Sequence, residues 1–205
     1  MICRIVHALY KVRLFGKMTG RHQDLYFPVL LAKVIGLRLE CIMVDVLHTV
    51  DLGVAAHVVG KVLWLLAVIH CVFGGSTTAD KIKRCFDDMK AWARRTRCKN
   101  FLQGELTEPR VRTSGQWPKL KAKAAHVRHL SRYALDLVLR FGAVAEDHSL
   151  VLSVVQMLVR FYDILDAGSM FLEQRVATEI AELGAGLCKV YSELSARALA
   201  NNKKM

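Results

Sequence analysis

Apolar residues recur at steps of three and four along most of the chain, which is the period of a buried helix face. From Asp51 onward Leu52, Ala55, Val59, Val62 and Leu66 keep that period and predict a central helix within residues 41–73. On it Gly53, Ala56 and Gly60 form a small-residue stripe, which lets a neighbouring backbone come close at a propensity cost of about 1 kcal/mol per glycine. The run Gly74-Gly75-Ser76-Thr77-Thr78 breaks the pattern, and Thr77 or Thr78 is placed to cap the next helix. Ile82, Cys85, Phe86, Met89, Trp92 and Ala93 predict that second helix over 81–97, and residues 98–117, with Gly104, Pro109, Ser114 and Gly115, read as a loop. A third helix is expected to open at Trp117-Pro118 and to run through Leu120, Ala124, Val127, Leu130, Ala134, Leu137 and Phe141 to Gly142. Val151, Val154, Val155, Leu158, Phe161 and Leu165 predict a fourth helix over 148–166. Leu172, Val176, Ile180, Leu183, Leu187, Val190, Leu194 and Ala198 form the seam of a last one over 169–200.

These elements predict an all-α fold, a single domain of about five helices packed like a bundle, with a C-terminal helical hairpin over 148–200. The helical domain is expected to span 41–205 and to follow a basic N-terminal segment over 1–40, within which 29–39 reads equally as a short helix or a strand. The chain of 205 residues is 53% apolar with only three prolines, which suits one helical core and excludes a sandwich or barrel. Cysteines at 3, 41, 71, 85, 98 and 188 form no CxxC pair and no regular spacing, so neither a zinc ribbon nor a disulfide framework is written, and they read as free intracellular thiols. Arg4, His7, Lys11 and Arg13 interrupt the place of a secretory core. The acid-poor N-terminus leaves a mitochondrial transit peptide as an alternative address. The apolar stretch 62–73 follows Lys61 and is about a dozen residues, short of the roughly twenty a membrane span needs, and is expected as buried core.

Charge changes the picture. The net charge is +12, and between Lys81 and Arg132 fifteen Lys or Arg face only Asp87, Asp88, Glu105 and Glu108. A basic block of this size attracts polyanions, nucleic acid first, through counterion release; otherwise it is a solvated face. The expected phosphate contacts on the second helix are Lys83, Arg84, Lys90, Arg94 and Arg95. On the third helix, two rows are expected, Lys121, Arg128 and Arg132 in one and Lys119, Lys123 and His126 in the other.

One cluster looks chemical. Asp45, His48 and Asp51 succeed one another on neighbouring faces of a helix wound at about 100° per residue, where they could share a proton or a divalent cation, with Cys41 as a further candidate donor. The plainer alternative makes Asp45 an N-cap and lets His48 and Asp51 satisfy each other. No catalytic residue and no metal set is assigned from this cluster.

The run Asp45-Val46-Leu47-His48-Thr49-Val50-Asp51-Leu52-Gly53-Val54, with His57 and Gly60 after it, resembles the DxxH segment of CACTA-type cut-and-paste DNA transposases. The resemblance implies a helical region inserted in an RNase H-like catalytic domain, in which three acids hold two divalent cations and the DxxH residues are not those acids. The first two acids of such a domain are not expected in the 44 residues before the motif, and no third acid is assignable after it. The expectation is therefore a transposase-derived helical fragment that binds DNA without sequence preference, lacks catalysis on its own, and holds a divalent cation only as part of a complete transposase. Its address is intracellular, and nuclear if so derived. No small-molecule substrate and no membrane partner are expected. The alternative is a helical protein-interaction or membrane-adjacent module with no nucleic-acid role.

Overall fold

The apolar run after Leu47 winds into one unbroken helix, α1 (47–69), with wide i→i+5 turns at Leu47–Ala55 and Trp64–Ile69 and ordinary α-helical turns over Ala56–Leu63 between them. The structure is a computed structural model and describes residues 47–99, 101–168 and 173–200. The first 46 residues, and with them the expected basic segment over 1–40, lie outside the described residues.

Five further helices follow, and no strand occurs among the described residues: α2 (Thr78–Arg95), the single turn α3 (Glu108–Val111), α4 (Ala124–Phe141), α5 (His148–Ala167) and α6 (Gln174–Ala200). The fold is all-α, as the periodicity predicts. A 3₁₀ turn at Gly142–Val144 joins α4 to α5.

The start of α2 follows its sequence. Gly74 (φ 71°) and Gly75 (φ 121°) take left-handed backbone that other residues resist. Thr77 Oγ1 then accepts from the Asp80 N–H at 3.1 Å, while Asp80 Oδ2 accepts from the Ser76 N–H at 3.2 Å. The expected apolar face is the buried one: Ile82, Cys85, Met89, Trp92 and Ala93 are all buried. The Cys85 thiol lies in the core 3.8 Å from the Tyr133 hydroxyl, and burial pushes it up to about 12.

The C-terminal pair is a hairpin. Asp147 meets Arg197 at 2.9 Å and Arg160 meets Glu179 at 2.7 Å, so α5 and α6 run in opposite directions. Ile180, Leu187 and Ala198 of the expected seam are buried. Leu172 and the start expected at 169 lie outside the described residues.

Every long helix contributes to the core, and α1 is enclosed by it: Ala55, Val59, Leu63 and Ala67 have no exposed surface. Burying side chains of this size removes apolar area worth about 1.5–3 kcal/mol for each Val or Leu. The segment Val50–Ile69 is long and apolar enough to cross a membrane, and 67% of its most apolar window is buried inside the fold. The segment is longer than residues 62–73 because the helix extends back through Lys61 to the apolar residues from Val50, and the Lys61 ammonium lies 5.1 Å from the centroid of the Trp117 ring and 4.5 Å from that of the Tyr191 ring.

The third expected helix begins later than its sequence suggests. Residues 112–123 are not helical, and α4 starts at Ala124. Pro118 is buried, and the N–H groups after it bond elsewhere: Lys119 to the Val111 carbonyl at 2.8 Å, Leu120 to Ala56 at 2.8 Å and Lys121 to Arg110 at 2.7 Å. Three backbone bonds to distant partners outcompete a first helical turn, whose own N–H groups have no intrahelical acceptor. The result is a strap, residues 117–123, laid across α1.

Gly60 is the reason the strap lies so close. A Cβ at that position would stand 2.5 Å from the Leu120 nitrogen and 2.8 Å from the Lys119 backbone, so only glycine fits. The close backbone approach expected of the small-residue stripe is made here.

Candidate nucleic-acid interface

Exposure alternates along the strap. Pro118 and Leu120 are buried and Ala122 is half-buried, while Lys119, Lys121 and Lys123 are exposed. An extended chain sends alternate side chains to opposite faces, so the three lysines form one row instead of falling into the two helical rows that a helix from Pro118 would give. None of the three has a carboxylate within 4 Å among the described residues.

The strap is held in place from beneath by Arg110. Its guanidinium donates to the carbonyls of Gln103 at 2.8 Å, Glu105 at 2.7 Å and Lys121 at 3.3 Å. Arg112 donates to the Gln116 carbonyl at 2.9 Å and lies 4.7 Å from the centroid of the Trp64 ring. These arginines lie in the stretch read as a loop, and their charge alone does not announce a bracing role. Beside the strap is an open groove of about 690 Å³ lined by Leu52, Gln103, Arg110, Lys121, Lys123 and His126. The first turn of α4 enters it without a side-chain cap, so its dipole adds positive potential at the same place.

The arginines of α4 are placed differently. Arg128 pairs with Asp166, and Arg132 reaches Asp163 at 2.7 Å and Asp166 at 3.0 Å, both on α5. Partial burial works against the Arg132 charge, yet these two carboxylates outweigh it and raise the guanidinium above its ordinary value. Arg128 also lies 5.0 Å from the centroid of the Tyr162 ring. Their charge is largely answered within the fold. The spacing of Asp163 and Asp166 at i, i+3 opposite Arg128 and Arg132 at i, i+4 is a signal the sequence carries.

On α2 the expected contacts divide in the same way. Arg84 pairs with Asp80 at 3.3 Å, Lys90 with Asp87 at 2.6 Å, and Arg95 with Asp136 at 3.5 Å. Lys83 and Arg94 are exposed and have no carboxylate within 4 Å among the described residues, although the Lys83 charge, after Lys90, helps to lower the Asp87 carboxyl. Further along the α2–α4 contact, Arg140 grips Asp88 with bonds of 3.0 and 2.6 Å, and the buried Tyr133 hydroxyl lies 2.9 Å from the same carboxylate. Burial opposes the Asp88 charge, and these donors hold its carboxyl below the ordinary range in spite of it.

Of the DxxH cluster, Asp45 and Cys41 lie outside the described residues. His48 is exposed, whereas Asp51 is buried and accepts a hydrogen bond from the Tyr162 hydroxyl at 2.5 Å. The helix here has i→i+5 turns, so the neighbouring faces expected at 100° per residue do not carry over to His48 and Asp51. Among the described residues no three His, Cys, Asp or Glu side chains gather as a metal set. Asp51, Tyr162, Arg128, Asp166, Arg132 and Asp163 instead form a continuous polar chain from α1 through α5 to α4.

His57 faces away from this chain, toward the strap. Burial, the Lys119 charge and, more weakly, Lys61 push its imidazole down to about 4 against a hydrogen bond with the Pro118 backbone, so it is neutral at pH 7. Comparison of the chain with protein-family models, with characterised proteins and with solved structures finds no match.

Proposed function

We propose that this chain binds nucleic acid through phosphate contacts made by the lysine strap and the groove beside it, and that it is a transposase-like helical region without catalysis of its own. The observation that carries the reading is the row Lys119, Lys121 and Lys123: three exposed cations on one side of a braced segment, answered by no carboxylate among the described residues. Lys83 and Arg94 are further exposed cations on α2, and the α4 terminus adds positive potential beside the strap. Lysines supply charge without a planar base-reading fork, so affinity is expected to be nearly independent of sequence.

The resemblance of Asp45 to Val54 to the DxxH segment supports a DNA partner over another polyanion, and with it a nuclear address. The test is fluorescence anisotropy with short duplexes of unrelated sequence. The triple variant Lys119→Glu, Lys121→Glu, Lys123→Glu should weaken binding to all of them alike, and unchanged affinity would remove the strap from the interface.

A further inference from the structure

A second cleft, apart from the basic groove, is apolar and small and has one amine at its edge. Val58, Val62 and Leu65 of α1, Val154 of α5, and Leu194 of α6 line about 40 Å³ of space, with Lys61 and Tyr191 also in its wall. That is room for a few water-sized groups, not for a bulky ligand. Lys61 Nζ lies 4.5 Å from the centroid of the Tyr191 ring and 5.1 Å from that of Trp117, and meets no carboxylate among the described residues.

We propose that Lys61 is a nucleophilic amine that condenses with short aliphatic aldehydes admitted to this cleft. The chemistry is balanced without any further reactant. The ammonium gives its proton to water, the free amine attacks the carbonyl carbon to form a carbinolamine, and that loses water to leave the imine. An aldehyde is neutral and enters an apolar cleft with little desolvation, whereas a carboxylate would have to shed its water before meeting the amine. When the imine is protonated, its positive charge stays where the ammonium was, over the two ring faces.

Burial favours the reaction, since it pushes the Lys61 ammonium down to about 8. At pH 7.5 roughly a quarter of such a group is free amine, against about one in a thousand for an ordinary surface lysine. A more acidic amine is also a weaker nucleophile, and the cleft restricts access. About a tenfold net advantage in rate is therefore expected.

The full chain is treated with acetaldehyde and cyanoborohydride at pH 7.5, and the alkylated amines are mapped by tandem mass spectrometry. Lys61 should be labelled about ten times faster than Lys119, Lys121 or Lys123 in the same molecules, and the advantage should vanish in urea. With glycolaldehyde, whose hydroxyl the apolar lining does not serve, the advantage should shrink. Labelling of Lys61 at or below the rate of the strap lysines overturns the proposal, and so does selectivity that survives unfolding.

Discussion

At the scale of single residues, buried Asp51 and half-buried His57 carry measurable consequences. Asp51 is buried and accepts its bond from Tyr162. Tyr162→Phe keeps the ring and removes the donor, so equilibrium urea unfolding should show a loss of about 1–3 kcal/mol. His57 makes the second prediction. Its imidazole is held down at about 4 by burial and by Lys119, against an ordinary value of 6.5. The unfolded chain therefore binds the proton first, and stability should fall as pH drops from about 6.5 toward 4, by about 2–3 kcal/mol after allowance for its partial exposure. His57→Gln should remove most of that slope in urea titrations at several pH values.

At the scale of elements, the strap and α1 depend on each other through Gly60. Gly60→Ala should raise helix propensity by about 1 kcal/mol and still lower stability by about 2 kcal/mol net, because Leu120 and Lys119 backbone must retreat. Thermal unfolding gives the sign. A second element-scale prediction concerns the α4–α5 contact: Arg128→Glu with Arg132→Glu places two anions against Asp163 and Asp166 and should cost about 1–2 kcal/mol in the same measurement.

The elements themselves are readable where local chemistry decides them. The glycine pair and the Thr77 cap start α2 as written, and the three-and-four pattern locates α4, α5, α6 and the core face of each. Pro118 misleads, since a proline before an apolar-periodic run is the mark of a helix start. Here the N–H groups of residues 119–121 go to Val111, Ala56 and Arg110, partners that no local pattern reveals. The two basic rows expected on a helix from Pro118 come from that same local reading. The pairing of Arg128 and Arg132 is missed for a related reason: its spacing is written in the sequence, but a local charge sum takes no account of acids on a facing helix.

At the scale of the whole molecule, the described basic residues of the expected interface fall into two populations. Arginines on α4 and Arg95 of α2 are engaged in ion pairs between helices, and Arg84 and Lys90 in pairs within α2, while the strap lysines, Lys83 and Arg94 have no carboxylate within 4 Å among the described residues. Only the second population is expected to exchange condensed cations for phosphate contacts. The most direct measurement is the affinity for one duplex across a series of salt concentrations, for the natural chain and for the Lys119→Glu, Lys121→Glu, Lys123→Glu variant. The natural chain should give a straight line of log K against log[salt], and the variant's slope should be shallower by about three, one for each phosphate that a strap lysine no longer neutralises. Equal slopes, or no duplex bound even at low salt, would contradict a nucleic-acid role for the strap.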